Sequence, residues 1–325
     1  MEKMRWGIAA PGNIARKFAT AAKNLPEVEL CAVASRDIDR ANAFGDTYGI
    51  AHRFASYEEM AASPLVDFVY VAPPHPFHKG VAEIFLKAGK HVLCEKPLCI
   101  NEKDAAELFA CAREHGAFLM EAMWTRFLPA NLAVAELIQS GEIGEVRGLT
   151  ADFCYNLSAR EESKIFRNDM AGGSVLDVGI YPLHLAAMML GTEVESISAT
   201  ATVEDGCDTH TQMVLKYKSG AIATLSSATK LYKPEDAYIY GTKGYIHIPT
   251  FYGAKEFTVY HGKEGVRHSH PFLGNGFEEE ILEVMRCVRE GKAESDGMPA
   301  ARTLAILSQM DEVRRQIGVR YPQEG

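Results

Sequence analysis

The sequence predicts an α/β protein with two domains. The first, over residues 1–123, is expected to contain a parallel sheet, and the second, over residues 124–325, is expected to be α+β with a large open, mostly antiparallel sheet. The length of 325 residues exceeds what one hydrophobic core usually supports. Up to residue 123, short β-branched runs alternate with amphipathic segments, the pattern of βαβ units. After Trp124, closely spaced strand-like segments are separated by turns, which favours antiparallel pairing.

The composition indicates a globular protein, with 47% hydrophobic and 24% charged residues. No run approaches the roughly 20 apolar residues of a membrane span, so we expect no membrane partner. The N-terminus enters a strand-like segment without the features of a secretory signal, which predicts no export. The net charge of −9 argues against a nucleic-acid partner, because phosphate binding requires a basic surface.

The cysteines and histidines indicate neither a disulfide framework nor a metal site. The seven cysteines are odd in number and form no Cys-x-x-Cys pair. His261, His268 and His270 also lack the spacing of metal ligands. We therefore expect a cytoplasmic protein that holds no metal.

The predicted strands of the first domain are apolar throughout, as expected for a parallel sheet covered by helices on both faces. They are Arg5–Ala10, Val28–Ser35, Phe68–Pro73, His91–Glu95 and Phe118–Met123. Two of the intervening helices have recognisable starts. Ser56 and Glu59 form a capping box, and Asn101 precedes a helix with one apolar stripe.

The second domain begins with a predicted helix over about Pro129–Ser140 and a strand over Glu145–Phe153. A loop that contains glycine then leads into a helix near residues 171–190. The strand-like segments that follow are Ser196–Val203, Thr209–Tyr217, Ala221–Thr229, Ala237–Tyr240, Tyr245–Ile248, Phe257–Tyr260 and Val266–His270. Two helices, over about Phe277–Glu290 and Ala300–Ile317, complete the chain.

The first strand leads into a glycine-bearing turn and a helix, the arrangement of a dinucleotide-binding Rossmann domain. Gly12 stands where a Cβ would keep a pyrophosphate away from the backbone, and Ala10 stands where the first glycine is usual. With Asn13 and Ile14 at the helix N-terminus, these residues form the predicted pyrophosphate site. The alternative is an ordinary βα turn.

The end of the second strand bears on the choice of cofactor. An NAD-specific site places an acid there for the ribose 2′-hydroxyl, but this sequence has Ser35 and Arg36. A hydroxyl and a guanidinium suit a 2′-phosphate, so NADP(H) is the preferred cofactor and NAD(H) the alternative. In that alternative, Arg36 pairs with Asp39 and Asp37 binds the ribose.

Two further motifs, taken with the glycine turn, carry a resemblance that covers essentially the whole chain. They are Ala88–Pro97, which contains Glu-Lys-Pro, and Gly172–Tyr181. In this order and spacing they resemble the glucose-fructose oxidoreductase/inositol dehydrogenase (Gfo/Idh/MocA) family. Glu121–Phe127, Ala10 in place of glycine and Tyr181 in place of histidine are most similar to its dimeric dihydrodiol dehydrogenase branch.

Hydride transfer at a carbinol carbon requires a group that moves the hydroxyl proton, and Tyr181 is the candidate. Lys96 follows the predicted strand His91–Glu95 at the carboxyl edge of the sheet, where ligands of such folds bind. A nearby cation lowers the pKa of a phenol by about 1–3 units, so Lys96 is expected to bring Tyr181 towards its working range. The resemblance implies that Lys96 and Asp177 orient the substrate, and that Glu95 and Lys96 also contact the cofactor.

Asp177, Tyr181 and His184 have the spacing i, i+4, i+7 and are expected to share one face of a helix. One substrate pocket is therefore expected to contain all three. The alternative for Asp177 is a helix N-cap, because Gly179 and Pro182 also mark a helix start. For His184 the alternative is a buried structural histidine.

Two groups of weaker candidates follow from position and from the resemblance. The loop at the end of the predicted strand Phe68–Pro73 is assigned to the nicotinamide half of the cofactor, and the alternative is a proline-stiffened turn. It contains Pro73, His75 and His78. Residues near the domain junction are candidates for a substrate pocket, with packing as the alternative: they are Trp124, Arg126 and Phe153.

The predicted function is hydride transfer, dependent on NADP(H), at the carbinol or carbonyl carbon of a sugar, cyclic polyol or vicinal diol. One alternative is a glycosidase that uses bound NAD as a redox device. Another is a non-catalytic cofactor sensor, against which the presence of both Lys96 and Tyr181 argues. Family analogy implies a homodimer formed through the open sheet of the second domain.

Overall fold

The computed structural model describes residues 3–160 and 162–324, and its contacts divide the chain into two compact units. The first unit comprises Met1–Trp124 with Leu273–Thr303, and the second comprises Thr125–Phe272 with Leu304–Gly325. The domain boundary was expected after residue 123, and the first unit in fact gives way to the second after Trp124, one residue later. That expectation, however, assigned residues 273–303 to the second domain, whereas their contacts place them in the first unit.

The first unit is built on a parallel sheet with the strand order β3-β2-β1-β4-β5-β6. The strands are β1 (Met4–Ala9), β2 (Val28–Ala34), β3 (His52–Phe54), β4 (Phe68–Val71), β5 (His91–Glu95) and β6 (Leu119–Ala122). The sequence predicted all of them except β3, whose three residues are too few to give a pattern. The order in which strands are added to the sheet reverses between β1 and β4, and this is the switch point at which ligands of doubly wound sheets bind.

The helices of this unit are α1 (Asn13–Asn24), α2 (Ile38–Tyr48), α3 (Tyr57–Ala62), α4 (His78–Lys87), α5 (Glu102–Glu114) and α8 (Phe277–Arg289). Two predicted caps are confirmed. Ser56 Oγ accepts a hydrogen bond from the Glu59 amide at 3.2 Å, and Asn101 Oδ1 accepts from the Asp104 amide at 2.8 Å. Each cap satisfies an amide that has no partner within its helix.

A buried carboxylate explains why α8 belongs to the first unit. Glu278 is fully buried, and its Oε2 accepts from the Gly276 amide at 3.0 Å, which holds the turn that starts α8. Its Oε1 accepts from Asn24 Nδ2 at 2.8 Å, at the end of α1. These bonds join two helices that are far apart in sequence, and no local pattern predicts such a connection.

The second unit contains a mixed, mostly antiparallel sheet with the order β14-β13-β12-β11-β7-β10-β9-β8, which confirms the predicted class. The strands are β7 (Val146–Cys154), β8 (Val194–Glu204), β9 (Cys207–Tyr217), β10 (Ile222–Ala228), β11 (Ala237–Gly241), β12 (Tyr245–Ile248), β13 (Glu256–His261) and β14 (Glu264–Ser269). The pairing of β7 with β10 is parallel. Helices α6 (Pro129–Gln139) and α7 (Ile180–Leu190) pack on the sheet, and α9 (Ala300–Ile317) begins in the first unit and ends in the second.

The helix expected near residues 171–190 is not one regular α-helix. Val175–Gly179 forms a π-helical turn, and α7 follows it directly. By length and composition alone, Asn168–Leu190 could cross a membrane, but 83% of its most apolar window is buried. Such burial is typical of a core helix in a globular domain.

Glu280 on α8 is buried without the hydrogen bonds that a buried carboxyl group usually has. Neither of its oxygens has a hydrogen-bond partner among the described residues. Burial, and after it the charge of Glu95, raises the pKa of Glu280 well above its usual value of 4.5. Burial also raises the pKa of Glu95, but a hydrogen bond from Tyr70 and the charge of Lys96 lower it. Glu280 is therefore the carboxyl group that retains a proton.

We expect Glu280→Gln to make the stability of the protein less dependent on pH. When a carboxyl group is protonated in the folded state but ionised in the unfolded state, the free energy of unfolding of the protein falls as pH rises above 4.5. Up to the folded-state pKa, the variant should therefore gain stability relative to wild type by about 1.4 kcal/mol per pH unit. Urea unfolding between about pH 5 and 8 measures this difference. If the two proteins gave parallel stability curves, Glu280 would be ionised in the folded state.

Candidate active site

The predicted cofactor residues of the first unit lie at one edge of its sheet. Because the paired strands are parallel, the turns that follow β1, β2, β4 and β5 all lie at the carboxyl edge. This edge brings together Ala10, Gly12, Asn13, Ile14, Ser35, Arg36, Pro73, His75, His78, Glu95 and Lys96. Their individual side chains then decide which of them can face a ligand.

The turn between β1 and α1 has the geometry of a phosphate-binding loop. Ala10 adopts φ 67°, a left-handed conformation in which glycine is usual, which costs about 1 kcal/mol for alanine. A Cβ added at Gly12 would meet only Ala10 O, at 4.0 Å, so space beside this residue is open. Gly12 is the N-cap of α1 and provides no side-chain cap. The first amides of α1, at Asn13 and Ile14, therefore suit a pyrophosphate.

The residues after β2 are arranged as an NADP(H) site requires. Ser35 is buried, and its Oγ accepts from the Asp37 amide at 3.2 Å. Asp37 caps α2 by accepting from the Asp39 amide at 3.0 Å, so its carboxylate has a structural role. The Arg36 guanidinium lies 5.5 Å from the centroid of the Phe77 ring. These contacts favour the assignment of Arg36, rather than Asp37, to the ribose end of a cofactor.

A second arginine, which the sequence analysis did not single out, lies close to Arg36. Burial raises the pKa of Tyr57, whereas the charges of Arg36 and Arg40 and a hydrogen bond with Arg36 lower it. Both cations therefore act on this one phenol. Arg36 precedes the N-cap of α2 and Arg40 lies in its first turn, so helical i, i+4 spacing does not relate them and no local signal in the sequence predicted this pair.

Two side chains expected to contact the cofactor make hydrogen bonds to other parts of the first unit. Glu95 is buried, and its carboxylate accepts hydrogen bonds from the Tyr70 hydroxyl and, at 3.2 Å, from the Lys96 amide. The ring nitrogens of His78 lie 2.7 Å from Pro97 O and 2.8 Å from Pro73 O. Their positions favour a role in holding the turns, which for His78 is the alternative the sequence left open.

Glu121, inside an apolar strand, also holds the turn that contains Lys96. Its Oε1 accepts from the Leu98 amide at 2.9 Å, and its Oε2 accepts from Thr303 Oγ1 at 3.0 Å. The signal for this role was an acidic residue within an apolar strand, but its partners are distant in sequence. Trp124, a predicted substrate residue, stacks on Phe277 with ring centroids 5.5 Å apart. This contact agrees with the alternative that Trp124 has a packing role.

In the second unit, Tyr181 lies in an aromatic and acidic environment. Its ring centroid is 5.1 Å from that of Phe153 and 6.1 Å from that of Tyr252. The Tyr155 hydroxyl donates to Asp177 Oδ2 at 2.6 Å. Burial raises the pKa of Tyr155, and the charges of Asp177 and Tyr181 raise it further. Tyr155, which the sequence analysis missed, therefore bonds Asp177 and lies, like Tyr181, beside the Phe153 ring.

The expectation that Asp177, Tyr181 and His184 share one face of a helix is only partly correct. Asp177 lies in the π-helical turn, whereas Tyr181 and His184 lie in α7, so regular i, i+4 spacing does not relate Asp177 to the others. The N-cap of α7 is Gly179, so Asp177 is not that cap. His184 is 2% exposed within α7, which favours the structural alternative. Arg126 is half-buried in the short 3-10 helix Trp124–Phe127.

No group of three or more histidine, cysteine, aspartate or glutamate side chains could hold a metal ion in the described part of the chain.

Comparisons with known proteins identify the family. Residues 4–123 match the oxidoreductase family with an NAD-binding Rossmann fold, and residues 131–247 match the GFO/IDH/MocA C-terminal domain. The chain belongs to the GFO/IDH/MocA oxidoreductase family. The resemblance inferred from the motifs is confirmed, and so are the fold class and the assignment as an NAD(P)-dependent oxidoreductase.

Within this family, similar proteins match over nearly their whole length. Trans-1,2-dihydrobenzene-1,2-diol dehydrogenase of Mus musculus is 36% identical, and the match covers 99% of both chains. The Homo sapiens enzyme of the same name is 33% identical over 99% of both chains. A 3-ketoreductase from Actinomadura kijaniata, solved with NADP and TDP-benzene, is 26% identical with a TM-score of 0.89, over 97% of this chain and 98% of that chain.

Proposed function

We propose that this GFO/IDH/MocA family member transfers a hydride, with NADP(H), at the carbinol or carbonyl carbon of a vicinal diol, cyclic polyol or sugar. The cluster of Tyr181, Phe153, Tyr155 and Asp177 is the observation that carries the proposal, because it places a proton-transfer group in one aromatic cluster with a carboxylate that can orient a hydroxyl. The relatives named as diol dehydrogenases support the substrate class. The nicotinamide ring supplies or accepts the hydride when it is bound.

The residues around Tyr181 favour a cyclic substrate with adjacent oxygens. Phe153 and Tyr252 are stacked, with ring centroids 4.3 Å apart, and both lie beside Tyr181. Aromatic faces bind apolar or sugar rings through large contact areas. Asp177 accepts from Tyr155, and a carboxylate has several lone pairs, so the same group can also accept from a substrate hydroxyl.

The preference for NADP(H) rests on the cations at the end of β2. Arg36 follows β2, and the charges of both Arg36 and Arg40 lower the pKa of Tyr57, which supports a site for a 2′-phosphate at this strand end. The one acid in the adjoining turn, Asp37, caps α2. The 3-ketoreductase of Actinomadura kijaniata, which has the same fold, was solved with NADP.

We also propose that the protein is a cytoplasmic homodimer that associates through the open face of its second sheet. Tyr240 and Ile222 both pair with Gly148 and therefore point to the same face, and they are 40% and 47% exposed. On a strand next to β10, Val214 is 43% exposed. Together these side chains form an apolar surface suited to a second copy. Light scattering that gives the mass of one chain would exclude the dimer.

The proposed function is distinguished from its alternatives by a panel of diols, sugars and 1,2-dicarbonyls with NADP+ or NADPH. A change in absorbance at about 340 nm that depends on substrate supports net hydride transfer. Hydrolysis of a glycoside without that change, on a retained cofactor, would instead indicate the glycosidase. Binding of cofactor without any reaction would indicate a sensor.

Tyr181→Phe should lower turnover by about 10²–10⁴-fold while leaving NADP(H) affinity intact, because it removes the group that moves the proton. Steady-state kinetics on the best substrate of the panel measures the effect. The matched control is Tyr217→Phe, because Tyr217 is also buried and its hydroxyl has no hydrogen-bond partner among the described residues. Full activity in Tyr181→Phe would exclude Tyr181 as the acid or base.

Lys96→Met should reduce activity strongly and move the pH optimum upward. If the Lys96 cation lowers the pKa of the Tyr181 phenol, its removal returns that pKa towards the ordinary value of about 10. The pH dependence of kcat/KM tests this hypothesis. Lys90→Met, at the opposite end of β5, is the control and should keep the wild-type profile. An unchanged profile in a residually active Lys96→Met would contradict the hypothesis.

Arg36→Ala should weaken NADP(H) binding by about 10- to 100-fold and change NAD(H) affinity little, because a charge-assisted hydrogen bond contributes about 1.5–3 kcal/mol. Nicotinamide fluorescence with both reduced cofactors measures the two affinities. Lys23→Ala removes a cation from the last turn of α1, at the end away from the pyrophosphate turn, and should affect neither. Equal losses for the two cofactors would mean that Arg36 does not read the 2′-phosphate.

A further inference from the structure

The π-helical turn Val175–Gly179 determines how two proposed active-site residues are related. Asp177 lies within the turn, and Tyr181 is the second residue of the α-helix that follows. A π-helical turn contains an extra residue, which rotates the following residues by about 100° relative to an unbroken α-helix. Asp177 bonds the Tyr155 hydroxyl, and the Phe153 ring lies beside both Tyr155 and Tyr181, so the grouping of these side chains depends on this turn keeping its shape.

A fully buried carboxylate on β9 holds the start of the turn. Asp208 Oδ2 accepts from the Val175 amide at 2.9 Å and from Ser174 Oγ at 2.6 Å. The same oxygen accepts from Thr211 Oγ1 at 2.8 Å, within its own strand. Two of the three hydrogen bonds thus go to the turn, and the third goes only to the sheet.

The turn is also packed tightly against the neighbouring strand β10. Ser174 Oγ lies 2.9 Å from Ser227 Oγ. At the other end of the turn, a Cβ on Gly179 would lie 3.0 Å from the same Ser227 Oγ. A Cβ on Gly173, which has φ 118°, would lie 2.3 Å from Asp208 Oδ1. There is therefore little room for the turn to move relative to β9 and β10 while these contacts persist.

The charge state of Asp208 reflects a balance between burial and hydrogen bonding. Burial raises its pKa, whereas the bonds from Ser174, Thr211 and the Val175 amide lower it. Its second oxygen, Oδ1, has no hydrogen-bond partner among the described residues. Removing the Ser174 hydroxyl or the carboxylate would leave buried groups unsatisfied at the turn, at a cost larger than that of an exposed hydrogen bond.

We propose that Asp208 is a positioning residue for hydride transfer: it fixes the start of the π-helical turn through Ser174 and Val175, so that Asp177 reaches the Tyr155 hydroxyl while Tyr181 lies against Phe153. This inference rests on the proposed function of Tyr181. It assigns a role to a residue that lies outside every motif identified in the sequence and that acts on the reaction only through the turn.

The test compares variants that remove different hydrogen bonds to the Asp208 carboxylate. Ser174→Ala and Asp208→Asn loosen the turn, whereas Thr211→Val removes an equally buried donor to the same oxygen and leaves the turn's own bonds. On the best substrate of the panel, the first two should lower kcat by about 10- to 100-fold, the loss expected for a misplacement of about 1 Å. Their NADP(H) dissociation constants should stay unchanged, and Thr211→Val should keep a kcat close to wild type.

Hydrogen exchange of the amides of residues 174–181, measured without substrate, provides a readout that does not depend on activity. Exchange should accelerate in Ser174→Ala and Asp208→Asn but not in Thr211→Val. A wild-type kcat in Ser174→Ala would overturn the proposal. It would also be overturned if kcat fell in all three variants, Thr211→Val included, in step with their loss of stability. Should wild type turn over no substrate, the proposed function fails, whereas unchanged exchange in Ser174→Ala would overturn the positioning role by itself.

Discussion

The turns that contain the proposed chemistry have backbone amides inside the protein, and in each unit a buried carboxylate accepts from them. Glu121 accepts from the Leu98 amide after the Glu-Lys-Pro motif, and Asp208 accepts from the Val175 amide before α7. A buried carboxylate without such donors would be costly, and a buried amide without an acceptor would be too. Each pair therefore fixes one arrangement of its turn, and the positions of Lys96 and Asp177 depend on it.

The two units contribute different kinds of chemistry. In the first unit, the open backbone at Gly12 and the N-terminus of α1 suit a pyrophosphate, since amides and a helix dipole attract negative charge at close range. In the second unit, side chains carry the chemistry, because a hydroxyl that gains or loses a proton needs a titratable partner. Tyr181 and Asp177 provide such groups. The Tyr155 hydroxyl bonds Asp177, and the Phe153 ring lies beside both Tyr155 and Tyr181.

The site was predictable where local patterns determine it. The strand-turn-helix pattern around Gly12 predicted the phosphate turn. In the same way, the apolar run of the second strand predicted that Arg36 follows the end of β2. The prediction was incomplete where a role depends on a distant partner. Tyr155 is 22 residues from Asp177, and Glu121 bonds a residue 182 positions away, so neither relation appears in any local pattern.

The sequence by itself determined the alternation of strands and helices, the caps at Ser56 and Asn101, and the parallel edge where the cofactor residues gather, because each depends on residues within a few positions of one another. Only the tertiary structure decided that the carboxylate of Glu95 faces the interior, that residues 273–303 join the first unit, and that a π-helical turn precedes α7. Each of these outcomes depends on groups that folding brings together from distant parts of the chain, and the free energy of burying a charge or a turn is set by those neighbours.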